Sequence, residues 1–441
     1  MRSLTPATVD VLAVLVVFLV VCVCRVEAIA TPPTPNRAKV AQDDSGAMHV
    51  NSSDPANQPV FLNGVDVVSE VQTLRGTVAA QQSMLQAYQS TVEAQQSMIA
   101  AHNSTLQAQQ STIEALRGRV CEATASTFGQ LSSAGNNKWR GGGVLASNGF
   151  IYAAPYDSPS VLIIDPSTNT VDTTTISELG TDSYKWGGAV LAHNGLIYMF
   201  PSNRETMLII NPDTNTVDTT SIHSLGSGGG KWWSGVVASN GLIFGIPFFA
   251  TSVLIIDPDT NTADITTLSG LSSQAYKWYG GVQADSGLIY CFPFVASSVL
   301  IINPESLTMD LTTISGLGTG SKWFGGVITG NGLIYTIPAY SATTLVINPA
   351  TNTTAELVVA DATGSSKWIG GVLAPNGNII GIPHTSPSVL IIDPTTNATD
   401  TTTISDLAGD NKWWGGVLAP TGLIYGIPDH ADSVLVIDPG C

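Results

Sequence analysis

The pair Lys-Trp recurs at Lys138, Lys185, Lys231, Lys277, Lys322, Lys367 and Lys412, at intervals of 47, 46, 46, 45, 45 and 45 residues. A period this regular overrides a reading of the chain as two or three unrelated domains. It demands one supersecondary unit packed against copies of itself. The sixth copy shows how the unit divides. Trp368–Leu373 is a first strand, and Asn376-Gly377 supplies a tight hairpin turn. Asn378–Ile382 is a second strand ended by Pro383, Ser388–Ile392 a third closed by Asp393-Pro394, and Thr401–Ser405 is expected as the fourth. Four short strands in roughly 40–50 residues describe a propeller blade.

A linear stack of such units would expose apolar ends and need polar caps. Neither end of the array reads as a cap. The last copy stops at Asp438-Pro439-Gly440-Cys441, after its third strand, and Ala123–Leu131 precedes Lys138 much as Thr401–Leu407 precedes Lys412. The N-terminal segment is therefore expected to complete the seventh blade and close the ring, which removes open sheet edges. In this alignment Cys121 and Cys441 fall in the same turn, so a disulfide between them is expected. Cys291, inside a second strand, is expected as a buried free thiol.

Before the repeats the pattern changes period. Val71, Val78, Leu85, Val92, Ile99, Leu106, Ile113 and Val120 lie at an unbroken seven-residue spacing, the a column of a coiled coil. The d column (Leu74, Gln81, Tyr88, Gln95, His102, Gln109, Leu116) is mostly polar. A strict heptad implies supercoiling with a partner, so residues 67–120 are expected to form an oligomeric stalk, dimer or trimer, about 75 Å long. A lone helix is the alternative. Residues 31–66 are rich in Pro, Thr, Ser, Asn and Asp and read as a flexible linker.

The N-terminus sets the compartment. Arg2 precedes an apolar run, Val11–Cys24, followed by small residues through Ala30. The run is short for a membrane span, so residues 1–30 read as a secretory signal, with an uncleaved anchor as the alternative. The expected product is secreted or at the cell surface, without membrane insertion once the signal is cleaved. Asn51, Asn103, Asn352 and Asn397 head glycosylation sequons, usable in a eukaryotic secretory pathway. Charged residues are only 11% of the chain, and the net charge of −17 excludes nucleic acid as a partner, because such a face must neutralise phosphates.

The seventh copy carries TGLIYGIP followed by SVLVIDP; other copies open with NGLIF (Asn240–Phe244) or NGLIY (Asn331–Tyr335), and DPSTNTV spans Asp165–Val171. A Gly pair follows most of the Trp residues. This unit resembles the Kelch and YVTN-type propeller repeats. The resemblance covers residues 123–441 and implies an all-β, seven-bladed β-propeller, with no fixed activity.

No catalytic motif is present: no Gly-x-Ser-x-Gly, no His-Glu-x-x-His, no phosphate-binding loop and no zinc-spaced Cys pair. His193, His223, His384 and His430 share no repeat position, and Asp-rich runs such as Asp257–Thr262 are turn chemistry. The chain is therefore expected not to be an enzyme and to need no metal or cofactor. Each repeat Lys precedes a first strand, so the seven are expected to circle one mouth of the channel. They serve either as supports for the Trp wedges or as a basic ring for an anionic ligand. The loops between strands two and three open on the same face and vary most. Their candidate ligand-binding residues are Tyr156, Arg204, Phe248, Phe249, Phe294, Tyr340, His384 and His430. Asn352 and Asn397 fall on the opposite face. The expected function is non-enzymatic recognition of a protein or anionic ligand by an oligomeric display of this face. A multivalent lectin binding glycans is the alternative, and a propeller lyase or lactonase stands behind it.

Overall fold

The computed structural model describes residues 39–42, 44–45, 48–51, 61–62, 65–131, 135–360 and 362–441, with backbone alone at 39–41, 48–51, 61–62, 65 and 114–120. The expected signal segment, most of the linker and the Asn51 side chain lie outside the described residues. Within the expected linker, Lys39–Gln42 pairs antiparallel with Met48–Asn51, and Phe61–Leu62 with Val65–Asp66.

A single helix, Val67–Val120, covers the heptad region. Asp66 caps it, its Oδ1 accepting from the backbone N–H groups of Val68 and Ser69 at 3.1 and 3.2 Å, and Glu70 adds a negative charge to the first turn. The a-column side chains from Val71 to Ile113 are exposed, Leu85 by 66% and Ile99 by 61%.

Residues beyond Cys121 form seven four-stranded antiparallel sheets. In the second blade the strands are Trp186–Leu191, Ile197–Pro201, Leu208–Asn211 and Thr216–Asp218, hydrogen-bonded in that order. Second strands are buried throughout, as in Ile334–Pro338, because each is sandwiched between two neighbouring sheets. The Gly pair that follows most of the repeat Trp residues has a steric origin. First strands of adjacent blades approach so closely that a Cβ on Gly370 would lie 2.8 Å from the Gly415 Cα, and one on Gly415 3.1 Å from the Gly142 Cα. Gly370 and Gly415 also sit at φ 73° and 71°, in the β-bulge that separates Trp from the rest of its strand.

The ring closes as expected. Thr124–Phe128 pairs with Val434–Asp438 in full register, from Val434 opposite Phe128 to Asp438 opposite Thr124. Cys121 and Cys441 are disulfide-bonded, with Cα atoms 4.7 Å apart, and Cys291 is a buried free thiol. The fourth strand, however, is not where the sixth copy suggested. It is Ala398–Asp400, and Thr401–Ser405 is a turn. Asp400 ends the strand by accepting from the N–H groups of Thr402 and Thr403, at 2.7 and 3.2 Å. That local bond outcompetes the β-propensity of the threonines.

The same turn recurs after Asp218 and Asp264. The Ser221 and Thr267 hydroxyls, with neighbouring backbone N–H groups, hold these carboxylates at about 2, against an opposing effect of burial. A carboxylate whose pKa is depressed by folding stabilises the fold above its unfolded pKa near 4, and that contribution is lost as pH falls toward 2. Thermal midpoints are therefore expected to drop between pH 4.5 and 2.5, and Asp264→Asn is expected to shrink the drop. An unchanged pH profile after that substitution would count against this assignment.

Candidate functional site

The Lys-Trp pairs turn out to be joints. All seven Trp rings are at most 4% exposed, each wedged into a cluster drawn from two blades, as Trp278 is among Phe244, Ile246, Ile289 and Leu300. Each indole N–H donates to a carbonyl beside the third strand of its own blade, for example Trp368 Nε1 to Ser388 O at 2.7 Å. Six of the seven lysines are buried, and Lys322 is half-buried. Six of the ammonium groups donate to carbonyls of the preceding blade's loop between strands two and three, and most also meet a carbonyl of the turn just before the lysine. Lys412 Nζ donates to His384 O, Ser386 O and Gly409 O at 3.0, 2.8 and 2.8 Å. Lys367 meets Ala339 O, Ser341 O and Gly364 O, and Lys231 meets Ser202 O, Arg204 O and Gly228 O. Lys185 reaches Tyr156 O, Lys277 reaches Phe248 O, and Lys322 reaches Ala296 O, Gly318 O and Gly320 O. Lys138 reaches Gly135 O and approaches Asp432 at 4.0 Å. Burial lowers Lys231, Lys277, Lys322, Lys367 and Lys412 to about 8, so they stay charged at neutral pH. An ammonium has three donors, and in Lys231, Lys322, Lys367 and Lys412 all three are matched by protein carbonyls. The geometry is that of a support, with the donors committed inward rather than offered as an open basic ring.

Two further repeat positions face the axis on this same side. One follows each repeat Trp: Arg140, Gly187, Trp233, Tyr279, Phe324, Ile369 and Trp414. The other follows the proline that ends each second strand: Tyr156, Ser202, Phe248, Phe294, Ala339, His384 and Asp429. Nine of these fourteen form one buried cluster. Rings from non-adjacent blades touch across the axis, Trp233 with Trp414 at 5.6 Å and Phe324 with Trp414 at 5.2 Å. Trp414 Nε1 also donates to the Tyr279 hydroxyl at 2.8 Å. The channel mouth is thus an aromatic plug.

The plug is not uniform. Asp429, fully buried, accepts from Arg140 Nε at 3.1 and 3.0 Å and lies 3.3 Å from His384 Nε2. His384 Nδ1 is 3.2 Å from Ser366 O, so both of its ring nitrogens face acceptors. The Arg140 guanidinium lies 4.6 Å from the Trp414 ring centre and 5.8 Å from that of Tyr156. His430 meets Asn137 Oδ1 at 3.0 Å, and burial, opposed by Asp429, lowers its pKa.

Among the expected site residues, Tyr156, Phe248, Phe294 and His384 belong to the plug. Phe249 and Tyr340 lie on its rim, where Phe249 packs on Tyr276 at 4.6 Å and Tyr340 on Phe294 at 5.6 Å. Arg204 is tied down by Asp182 and lies over Trp186 at 5.2 Å. Asn352 and Asn397 lie at the other end of the blades, where they accept from the Tyr290 and Tyr335 hydroxyls of the preceding blade at 2.7 and 2.9 Å. Asn103 lies on the exposed helix.

Sequence reasoning missed Asp429 and Arg140 as partners, and Tyr184 and Tyr276 altogether. These two tyrosines occupy the position before Lys, at φ 61° and 62°, where other blades carry Asn137, Gly230, Ser366 and Asn411 in the same left-handed conformation. A bulky residue there is strained, and both are exposed, by 43% and 48%. Reading the repeats in columns would have revealed them as exceptions.

No sequence-family model matches the chain, and no characterised protein matches it in sequence. In structure it is similar to virginiamycin B lyase from Staphylococcus aureus (TM-score 0.58, 9% identity, covering 72% of this chain and 99% of that one). A catalytically inactive His-to-Ala variant of that lyase with quinupristin is similar to nearly the same degree (0.57, 10%, 72% and 99%). The extracellular domain of a one-component system from B. thetaiotaomicron aligns with a TM-score of 0.51 and 11% identity, over 70% of this chain and 42% of that one. These likenesses establish the seven-bladed propeller fold and do not mark it as specifically Kelch. They also overturn the expectation that the chain is not an enzyme: propellers spanning the same seven blades are lyases. The missing sequence motif was no argument, because ring closure brings residues far apart in the chain together, as Arg140 and Asp429 show.

Lys412→Met removes the side-chain donor to His384 O, Ser386 O and Gly409 O, of which His384 O keeps the Lys412 backbone N–H. It is expected to cost about 2–3 kcal/mol in urea unfolding; unchanged stability would refute the support role.

Proposed function

We propose that the chain is an extracellular recognition propeller whose working surface is the plugged face, engaging a protein partner. The observation that carries this is the set of exposed rim aromatics, Tyr184, Tyr276 and Tyr340, at 43%, 48% and 41% exposure. Tyr184 packs tilted against Tyr156 at 5.0 Å and Tyr276 edge-on against Phe248 at 5.1 Å, so the plug holds them in place. Rigid, amphipathic rings spread over several blades suit a broad contact surface. The disulfide and the likeness to the extracellular domain of a one-component system support an oxidising, external setting. Among the described residues no helix is long and apolar enough to cross a membrane.

The exposed heptad column supports assembly of several copies through the helix. On a straight helix a seven-residue column drifts by about 20° per heptad, and supercoiling with like chains keeps it on one seam. Several propellers in one assembly would raise avidity by about 10²–10⁴ where sites are engaged together.

A second reading is favoured by Arg140, Asp429 and His384. A buried carboxylate shared by two basic groups, in a propeller similar in fold to a lyase, is a place for proton-transfer chemistry. Incubation with virginiamycin B would show loss of the intact compound by mass spectrometry, and full recovery would remove this reading.

Screening the full chain against arrays of extracellular ectodomains and glycans tests the first. Tyr184→Ala with Tyr276→Ala is expected to weaken a protein hit at least tenfold while leaving the thermal midpoint within a few degrees. Binding confined to glycans would make it a lectin. For assembly, sedimentation is expected to give a dimer or trimer mass that falls to monomer in Val92→Asp with Ile99→Asp; a monomeric parent chain would defeat it.

A further inference from the structure

The second blade breaks both axial columns at once. It alone places small residues at each, Gly187 and Ser202, where every other blade has at least one large side chain. Trp233 leans into this gap, its Nε1 2.9 Å from where a Gly187 Cβ would be. The Trp233 Nε1–H is buried without a hydrogen-bond partner, in a residue 8% exposed, and the Ser202 hydroxyl, 1% exposed, meets only the Tyr156 phenol. Arg140 completes the sector. Its Nε is taken by Asp429, and its terminal nitrogens make no hydrogen bond to described residues, while the side chain keeps 19% exposure.

These donors meet around one ring. Tyr156 contacts Trp233 at 5.6 Å and Arg140 at 5.8 Å, and its phenol lies beside the Ser202 hydroxyl. An indole N–H and a guanidinium can only donate, so the unmet need is for an acceptor. Buried donors left unpaired cost free energy that an incoming acceptor recovers. The local charge points the same way. The Arg140 guanidinium and the Lys138 ammonium both act on Asp429, the single buried carboxylate among the described residues.

From this we infer that the blade-two sector of the plug is a binding site for a carboxylate group, held by the Arg140 terminal nitrogens, Trp233 Nε1 and Ser202 Oγ. The inference deepens the reading of the plugged face as the working surface, and rests on it. It assigns that face a preference for a ligand with an acidic terminus or side chain. Charge-assisted bonds from Arg supply the strength, and the Trp and Ser donors supply the position. The rim tyrosines Tyr184 and Tyr276 would hold the rest of the ligand.

The test uses the full chain carrying ¹⁵N-indole tryptophan, titrated with sodium acetate, with acetamide and sodium chloride in parallel. The Trp233 indole resonance, identified by its loss in Trp233→Phe, is expected to shift saturably with acetate, at least tenfold more weakly with acetamide, and not with chloride. Arg140→Gln is expected to raise the acetate midpoint at least tenfold. Ser202→Ala, a smaller change that leaves the plug intact, is expected to raise it several-fold. A Trp233 resonance that does not move, that moves equally with chloride, or that responds identically in Ser202→Ala overturns the site. Failure here with a Tyr-dependent partner still bound would sink the carboxylate site alone. An acetate site with a partner indifferent to the tyrosines would sink the broader reading alone.

Discussion

Propeller blades share no backbone ladder with their neighbours, so whatever joins one sheet to the next decides whether a ring exists. Here the joint is an ammonium group. Each of six repeat lysines crosses to the preceding blade and donates to carbonyls of its loop between strands two and three, while the adjacent Trp fills the seam. In five of these seams the lysine's backbone N–H donates to the same loop carbonyl as its ammonium group, as Lys412 does to His384 O, so one residue ties the blades twice in a dry place. At the other end of the blades, Tyr hydroxyls donate to turn asparagines of the next blade, as Tyr198 does to Asn261 at 2.7 Å. The seams are therefore pinned at both ends, and the disulfide with the borrowed strand extends the arrangement across the chain termini.

This division of labour explains which residues are free to do something else. The lysines and tryptophans are committed to the seams in all seven blades, so they are poor carriers of specificity. The axial columns carry no such obligation beyond filling space, and most blades fill it with aromatic or aliphatic side chains. Arg140, Ser202, His384 and Asp429 are the departures, gathered in blades one, two, six and seven, which are contiguous around the ring. A sevenfold scaffold thus bears a one-sided site, and the rim tyrosines stand where the backbone strain is already absorbed by a repeated turn.

Much of the architecture was legible because it rests on period and on local chemistry. The spacing of Lys-Trp counted the blades, the missing last strand pointed to Ala123–Leu131, and the common turn position of Cys121 and Cys441 paired them. The heptad foretold one uninterrupted helix. Misplacing the fourth strand at Thr401–Ser405 came from weighing β-propensity above the turn formed by Asp400, a bond between residues two and three apart that was visible in the sequence.

What the sequence by itself determined is the repeat, the closure and the face on which the loops vary, since these follow from spacing along the chain. Only the tertiary structure decided where the charges go. Whether a lysine faces solvent or three carbonyls depends on the neighbouring blade, and residues 289 apart, Arg140 and Asp429, become partners only because the ring closes. The same closure brings Trp233 and Ser202 beside Tyr156. Of the two roles open to the evenly spaced lysines, six take the geometry of internal joints, and the departures from the sevenfold pattern fall on the axial columns.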